Sequence, residues 1–333
     1  MSISIKNILT ATPSDWDYIW EKCSYSTYFH SREWAELWQI YTEGKIRPAP
    51  KMIIFSDGKR ALVLLSYSKR MKGFVKNYIS SPGGTFGGWI STDALEMGHS
   101  QLLVDYFNRL GSITWRLNPY DPLVHKCNFS YTQKDETHVL DLKGGFDAIH
   151  KLWTKGHKSA ARKAHKAGVT IQKAVLQDEW RDYYAIYQDS LRRWGDKTSS
   201  RYSWKLFEII AGRQSKNIEL WLAKYEDKNI AGALCFYAKK HVVYWHGAAY
   251  SDYFKLRPVN LLMYEVIKDA CEQGYSWFDF NPSGGHEGVM KFKQSFGAGG
   301  LPSSLIVRES TLLKVLKAMR KIIKRKKYIK DCK

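Results

Sequence analysis

The sequence lacks the simplest signatures of several common protein classes. It contains no G-x-x-x-x-G-K-[ST], G-x-G-x-x-G or G-x-S-x-G motif, which removes the usual support for an ATPase, a dinucleotide oxidoreductase or a serine hydrolase. Its five cysteines include no C-x-x-C pair. This pattern argues against a disulfide framework or a zinc site and is typical of reduced cytosolic thiols. We therefore expect neither a metal nor a tightly bound cofactor.

Long hydrophobic runs are also missing. The most apolar runs, at residues 52–55 and 61–65, are far shorter than a membrane-spanning helix requires. The N-terminal residues have no charged start followed by an apolar stretch, so we expect no signal peptide. These absences predict a cytoplasmic protein.

Positive charge is abundant. The 333 residues include 52 Lys and Arg against 32 Asp and Glu, a formal net charge of +20 at pH 7. Such a field favours an anionic partner, which can be nucleic acid, a phosphate-bearing substrate or an anionic membrane surface. The length and the hydrophobic fraction of 44% predict two domains with real cores.

An internal repeat organises the chain. Residues 51–70 and 220–240 both read as β-hairpins, and each is followed by an aromatic strand, a helix and a strand that ends in Asn-Pro, at 114–119 and 277–282. The repeat predicts an α+β fold of two tandem domains, each with a mixed, mostly antiparallel sheet flanked by helices. We assign residues 1–140 to the first domain and 141–304 to the second. Two unrelated α/β domains are the alternative.

Two segments concentrate basic residues. The first is a predicted helix over 146–167 that carries Lys158 and Arg162. This helix can bind an anionic partner, or its charges can form a solvated basic face. The second lies within 305–333, where 312–329 reads as an amphipathic helix with a basic outer face. This C-terminal helix can complete the first domain or lie on the anionic inner face of the membrane.

Candidate catalytic residues cluster where the strand at 275–280 meets a glycine-rich loop. Lys293, next to Phe292, can neutralise negative charge that develops on an oxyanion or a phosphate. A solvated lysine beside a core phenylalanine is the alternative. Asp279 is expected to orient Lys293 or an asparagine, or to act as a base. His286 is a further general-base candidate in the following loop.

A third group of residues suits a sugar or a nucleobase. Aromatic rings and hydroxyls bind such groups by stacking and hydrogen bonding, and sheet packing is the alternative use for them. Together with Asn281 at the strand end, the candidate substrate-binding residues here are Trp245, His246, Tyr250 and Tyr253.

The second half of the chain resembles the FemAB-like (BioF2-like, Acetyltransf_6) branch of the GNAT acyltransferase superfamily. The resemblance rests on HKSAARKAHKAGVTIQ, on GAAYSDYFKLRPVNLLMYEVIKDACEQGYSWFDFN and on GVMKFKQSFGAG, with fainter matches at YFHSREWAELW and ISSPGGTFGGW. It implies two tandem GNAT-like domains that transfer an acyl or aminoacyl group to an amine. By this resemblance the Phe-Lys motif falls on Phe292 and Lys293, and a phosphate-binding position falls on Arg162, with Lys158 nearby.

The same resemblance implies an N-acyltransferase that acts on a phosphate-bearing polysaccharide or peptidoglycan precursor of the cell envelope. The best-known members take their amino acid from aminoacyl-tRNA, whereas other relatives are assigned to acyl transfer. Residues 178–213 leave no room for a long helical-hairpin arm, and residues 254–260 lack the glycines of a usual acyl-CoA loop. The donor, acyl-CoA or aminoacyl-tRNA, therefore stays open. A non-enzymatic binder of nucleic acid or anionic membrane is the alternative of another class.

Overall fold

The computed structural model of the protein describes residues 3–70, 75–195 and 201–310. These residues form two mixed β-sheets, one of ten strands and one of seven, with α-helices packed against them. The predicted α+β fold class is thereby confirmed.

The first half of the chain builds most of the ten-stranded sheet. Its strands are β1 (Ile5–Thr10), β2 (Ile46–Pro48), β3 (Lys51–Phe55), β4 (Arg60–Leu64), β5 (Ser66–Arg70), β6 (Val75–Ser80), β7 (Phe86–Ile90), β8 (Ser112–Leu117) and β9 (Thr132–Gln133). Its helices are α1 (Pro13–Lys22), α2 (Arg32–Tyr41) and α3 (Met97–Arg109). The main path of the sheet runs β1-β3-β4-β7-β8-β6-β5-β2.

The second half builds the seven-stranded sheet. Its strands are β10 (Glu136–Asp141), β11 (Thr170–Lys173), β12 (Ile218–Tyr225), β13 (Lys228–Tyr237), β14 (His241–Ala249), β15 (Trp277–Pro282) and β16 (Gly299–Pro302). Its helices are α4 (Gly145–Leu152), α5 (Lys155–Lys166), α6 (Gln177–Trp194), α7 (Trp204–Gly212), α8 (Pro258–Glu272) and α9 (Glu287–Gln294). The sheet order is β11-β12-β13-β14-β15-β10-β16.

The two sheets share the order of five strands, as the sequence repeat predicts. In the first half the run β1-β3-β4-β7-β8 has the same layout as β11-β12-β13-β14-β15 in the second. In each run the last strand is parallel to the one before it, because a helix, α3 or α8, carries the chain back across the sheet. The two strands that end in Asn-Pro, β8 and β15, therefore occupy equivalent places.

Two strands pair close to the predicted domain limits. Strand β10, which spans the predicted boundary at residue 140, pairs with β15 and β16 in the seven-stranded sheet. Strand β17 (Leu305–Arg308) pairs with β8 and β9 in the ten-stranded sheet. Residues 305–308 are thus a strand and not part of a helix, because Ile306 is buried against the first sheet. The predicted helix at 312–329 lies outside the described residues, and the domain boundaries stay a prediction.

The helix predicted over 146–167 is wrong in one respect, because the structure divides it into α4 and α5. The break falls at Trp153 and Thr154, which adopt extended backbone angles. Trp153 is buried and its ring packs edge-on against Phe296, with centroids 4.7 Å apart. Burial of this large ring near the end of α9 favours a turn that a continuous helix could not make.

An aromatic core joins the two halves. Tyr28 of the first half stacks on Phe236 of β13, with ring centroids 4.6 Å apart and planes 6° from parallel. Trp34 of α2 packs edge-on against Trp245 of β14 at 5.6 Å. Rings of this size bury large areas and prefer such stacked or edge-on geometries. The relative position of the two sheets is therefore set by packed side chains, and so is the shape of the cleft between them.

Candidate active site

A cleft with a cavity volume of about 880 Å³ lies between the two halves of the protein. Residues 83–85 and Arg116 line it from the first half, and β14, β15 and α9 line it from the second. Three cationic side chains face the cleft, those of Arg116, Arg193 and Lys293, and none of the described residues that line it is acidic. The cleft is a positively charged, largely aromatic groove.

Lys293 lies in the last turn of α9 with only 3% of its surface exposed. Its Nζ donates a hydrogen bond to the Asn281 carbonyl oxygen at 2.5 Å. Burial lowers the pKa of Lys293 to about 8, although Asp279 and Asp135 oppose that decrease by their negative charge. Lys291 points to solvent, where it pairs with Glu287 at 2.6 Å, because residues two apart on a helix face different sides. The structure therefore favours Lys293 over Lys291 as the residue that meets a ligand.

Asp279 is fully buried in β15 and its carboxylate accepts three hydrogen bonds. The donors are Thr137 Oγ1 at 2.5 Å, Tyr120 Oη at 2.7 Å and the backbone N–H of Asn281 at 2.7 Å. Burial raises the pKa of Asp279, while the hydrogen bonds and Lys293 act in the opposite direction.

Asn281, which lines the cleft, has a positive φ of 65°, a conformation that asparagine tolerates better than most residues. Asp279 holds the amide of Asn281, and the carbonyl of the same residue holds Lys293. The backbone of Asn281 thus links Asp279 to Lys293 by two hydrogen bonds. This is the arrangement that the expected orienting role of Asp279 requires.

Three further candidates line the cleft. Phe292 packs edge-on against Phe296 at 5.0 Å, and Trp245 stacks on Tyr202 at 5.2 Å. His246 Nδ1 is 2.5 Å from Tyr183 Oη, and burial lowers the pKa of His246 to about 3. His246 is therefore a neutral side chain, able to hydrogen-bond a ligand but not to add charge to the groove.

The remaining candidates lie elsewhere. His286 lines a second cavity of about 640 Å³, and Lys158 and Arg162 line a third of about 390 Å³, which lies between α5 and α8. Tyr250 and Tyr253 hold the ammonium of Lys228, at 4.8 and 5.3 Å from their ring centres. The structure does not bring these five residues to the Lys293 cleft.

Sequence reasoning missed all of the residues that the first half contributes to the cleft, Arg116 among them. Arg116 donates from Nε to the Gly84 carbonyl at 2.8 Å and from Nη1 to Asp135 at 2.8 Å. One signal was present, since Arg116 stands two residues before Asn118 as Asp279 stands two before Asn281. Arg193, whose guanidinium lies 4.8 Å from the ring centre of Phe254, gave no comparable signal.

Strands β14 and β15 diverge at the cleft. They pair only over residues 241–243 and 277–279, and beyond this point the rings of Tyr244 and Phe280 lie edge-on, 6.2 Å apart. A 3-10 helix, Ser251–Leu256, and the left-handed residue Arg257 precede α8. Aromatic side chains therefore line the space where the two strands separate.

Within residues 3–70, 75–195 and 201–310, no helix combines the length and apolarity needed to cross a bilayer. Over the same ranges, no three His, Cys, Asp or Glu side chains are grouped so that they could hold a metal ion.

The two mixed sheets are flanked by helices, and the cleft between the two halves is lined by the buried Lys293. Residues 154–294 match the family model Acetyltransf_6, an acetyltransferase (GNAT) domain. The match confirms the prediction of a GNAT acyltransferase domain in this segment. A comparison with curated protein sequences gives no match.

Solved structures show the same fold over nearly the whole chain. FemX is similar with a TM-score of 0.73 and 14% identity, and the match covers 93% of this chain and 99% of FemX. L-PGS from Bacillus licheniformis matches with a TM-score of 0.56 and 13% identity, over 93% of this chain and 97% of that one. The "C-terminal Domain (DUF2156) of Putative Lysylphosphatidylglycerol Synthetase" from Agrobacterium fabrum matches with a TM-score of 0.52 and 14% identity, over 81% and 88%. The fold is therefore that of FemX, in agreement with the predicted FemAB-like branch.

Proposed function

We propose that this protein transfers an acyl or aminoacyl group to an amine of an anionic cell-envelope precursor, either a polysaccharide or a peptidoglycan precursor. The observation that carries the proposal is the buried ammonium of Lys293 at the wall of a cationic cleft, within a GNAT acyltransferase domain. The GNAT domain indicates acyl transfer as the class of reaction, and the positive charge of the cleft indicates an anionic substrate.

The proposed step joins an amine to an acyl ester or thioester. The amine nitrogen attacks the carbonyl carbon, a C–N bond forms, and the C–O or C–S bond to the donor breaks. The nitrogen loses one proton and the leaving group gains one. Negative charge develops on the carbonyl oxygen during attack, and the Lys293 ammonium can donate a hydrogen bond to it there. With a pKa near 8, Lys293 is mostly charged at pH 7.

Charge and aromatic surface support an anionic, sugar-containing substrate. Arg116 and Arg193 place two guanidinium groups at the cleft, and guanidinium groups bind phosphate well even though these two also contact carboxylates, Asp135 at 2.8 Å and Asp189 at 3.6 Å. Trp245 and Tyr202 form a stacked pair beside them, and aromatic faces bind sugar rings well. The name of the Agrobacterium fabrum protein denotes a lysyl group carried by an anionic lipid, a chemically related product.

Two donors fit the reaction, acyl-CoA and aminoacyl-tRNA, and a labelled-donor assay separates them. Purified protein is incubated with radiolabelled acyl-CoAs or with charged tRNAs, together with envelope precursors from a cell lysate. Transfer of label from one donor class to an amine supports the proposal and identifies the donor. Binding of RNA or of anionic vesicles without transfer from any donor would instead favour the non-enzymatic alternative.

The role of Lys293 is tested in the same assay with a matched pair of variants. Lys293→Met should lower kcat by roughly 10²-fold or more, the scale for loss of one oxyanion donor. Lys291→Met removes an exposed lysine from the same helix and should leave kcat within about twofold, because its Nζ pairs with Glu287 away from the cleft. Equal effects of the two substitutions would contradict the role assigned to Lys293.

A further inference from the structure

A second cavity lies beside β10 and α9, separate from the Lys293 cleft. It has a volume of about 640 Å³, which is ample for the end of a peptide or an amino-acid side chain. Its wall includes Glu136 and His138 from β10, Glu287 and Met290 from α9, and Pro302 from β16. We call it the His138 cavity.

The cavity shares a partition with the cleft. Helix α9 packs on β10, and it turns Gly288, Val289 and Lys293 to the cleft but Glu287 and Met290 to the His138 cavity. Burial lowers the pKa of His138 and the charge of Lys293 lowers it further, while the charge of Asp135 at the cavity wall raises the pKa of Lys293. The two compartments therefore meet near the Lys293 ammonium.

His138 carries an unmet hydrogen-bonding requirement. Only 1% of its surface is exposed, and neither ring nitrogen has a hydrogen-bond partner among the described residues. Its Nε2 lies 3.5 Å from Glu136 Oε1, too far for a good hydrogen bond. Buried polar atoms without partners are rare and call for an explanation. A ligand that donates an N–H or O–H into the cavity would supply the missing partner.

The charges around the cavity favour a ligand whose hydrogen-bond donor is positively charged. Asp135, Glu136 and Glu287 line it, against the single lysine Lys134. Asp135 is paired with Arg116 at 2.8 Å and Glu287 with Lys291 at 2.6 Å. In the described part of the chain, Glu136 has no ion-pair contact other than the 3.5 Å approach to His138. Its carboxylate is thus the acidic group that remains available to a ligand.

Burial also keeps the imidazole uncharged. Burial and the neighbouring Lys293 lower the pKa of His138, whereas Glu136 and Asp135 act against that decrease. A neutral imidazole has one nitrogen that accepts a hydrogen bond. Met290 and Pro302 add apolar surface that suits the methylene groups of an alkylamine.

We propose that the His138 cavity binds the primary ammonium group of a reactant, with Glu136 as its counter-charge and His138 as a hydrogen-bond acceptor. The choice of an ammonium rests on the proposed N-acyl transfer, because both an amine acceptor and an aminoacyl donor carry one. The basic cleft would then hold the anionic part of a reactant and the acidic cavity its amine, on the two sides of the partition that carries Lys293.

The test measures binding by ligand-observed NMR with the full chain, so it requires no turnover. The probes are Nα-acetyl-L-lysine methylamide, which presents an acceptor-like side-chain amine, and L-alaninamide, which presents a donor-like α-amine. Nα-acetyl-L-norleucine methylamide, which has no ammonium, is the neutral comparison. We expect one amine probe to bind and the norleucine analogue to bind at least tenfold more weakly.

Two isosteric variants assign the site. Glu136→Gln should weaken binding of the amine probe by about fivefold, the scale of a partly exposed ion pair. Glu287→Gln is the matched control in the same cavity and should change binding by less than twofold, because Glu287 already pairs with Lys291. His138→Gln, checked for folding by circular dichroism, should weaken binding by about tenfold.

Several outcomes would overturn the proposal. These are no binding of either amine probe, equal affinity for the norleucine analogue, or equal effects of Glu136→Gln and Glu287→Gln. Inorganic phosphate that binds more tightly after Glu136→Gln would show an anion site instead. Failure here is separable from failure of the proposed function, because Lys293→Met should lower kcat by roughly 10²-fold or more but leave binding of the amine probe within about threefold.

Discussion

Replacement of Lys293 by methionine should stabilise the folded protein while it removes activity. The ordinary pKa of 10.5 falls to about 8 because the ammonium is buried, so the folded state holds this proton less tightly than the unfolded chain does. At about 1.4 kcal/mol per pKa unit, the buried charge costs about 3 kcal/mol at pH 7. Loss of the hydrogen bond to the Asn281 carbonyl destabilises the variant by about 1 kcal/mol. The net expectation is a gain of about 2 kcal/mol.

The pH dependence identifies the cause of that gain. Below pH 8 Lys293 is protonated in both states and its full cost is present. Between pH 8 and 10.5 the unfolded chain binds the proton and the folded protein does not, so the stability of the wild type rises with pH relative to the variant. The advantage of Lys293→Met should therefore shrink over this range and vanish before its upper end, and above it the lost hydrogen bond should leave the variant about 1 kcal/mol less stable than the wild type.

Urea unfolding at pH 7 and at pH 10, followed by circular dichroism, measures both quantities. Lys291→Met serves as the control, since its exposed side chain should change the free energy of unfolding by less than about 0.5 kcal/mol at either pH. A variant at position 293 that is less stable than the wild type at pH 7, or whose advantage does not depend on pH, would refute the reasoning. In that case Lys293 would be a stabilising residue and not a functional charge kept at a cost.

Other expectations follow from the hydrogen bonds around Asp279. Tyr120→Phe removes one of three donors to this buried carboxylate and should lower the free energy of unfolding by about 1–3 kcal/mol, measured in urea; an unchanged value would contradict the assigned hydrogen bond. Asn281→Gly should retain kcat within about threefold, because the backbone carbonyl holds Lys293 and glycine accepts the positive φ. Asn281→Ala should lower the free energy of unfolding by about 1 kcal/mol, because alanine is strained at this φ. A large loss of kcat in Asn281→Gly would show that the asparagine side chain acts directly. At saturating amine, kcat should fall above pH 8 as the Lys293 ammonium deprotonates, and a profile that keeps rising to pH 10 would argue that the charge is not used.

Local patterns in the sequence were sufficient for the fold class, and they also selected the candidate residues on β15 and α9. Hairpins, helices and Asn-Pro strand ends recur at half the chain length, and these signals depend on neighbouring residues only. The expected orienting role of Asp279 also came from a local pattern, since it depends on which face of one strand the side chain occupies. The helix expected over 146–167 shows the limit, because its break depends on the packing of Trp153 against the distant Phe296.

What the tertiary structure alone decided is which residues meet across the two halves. Arg116 and Lys293 are far apart in the chain and share a cleft because an aromatic core sets the distance between the sheets. Lys158 and Arg162 also carry positive charge, but they line a separate cavity between α5 and α8. Residue type and spacing determine secondary structure and charge, whereas proximity across a cleft depends on how whole sheets pack. No local pattern encodes that distance.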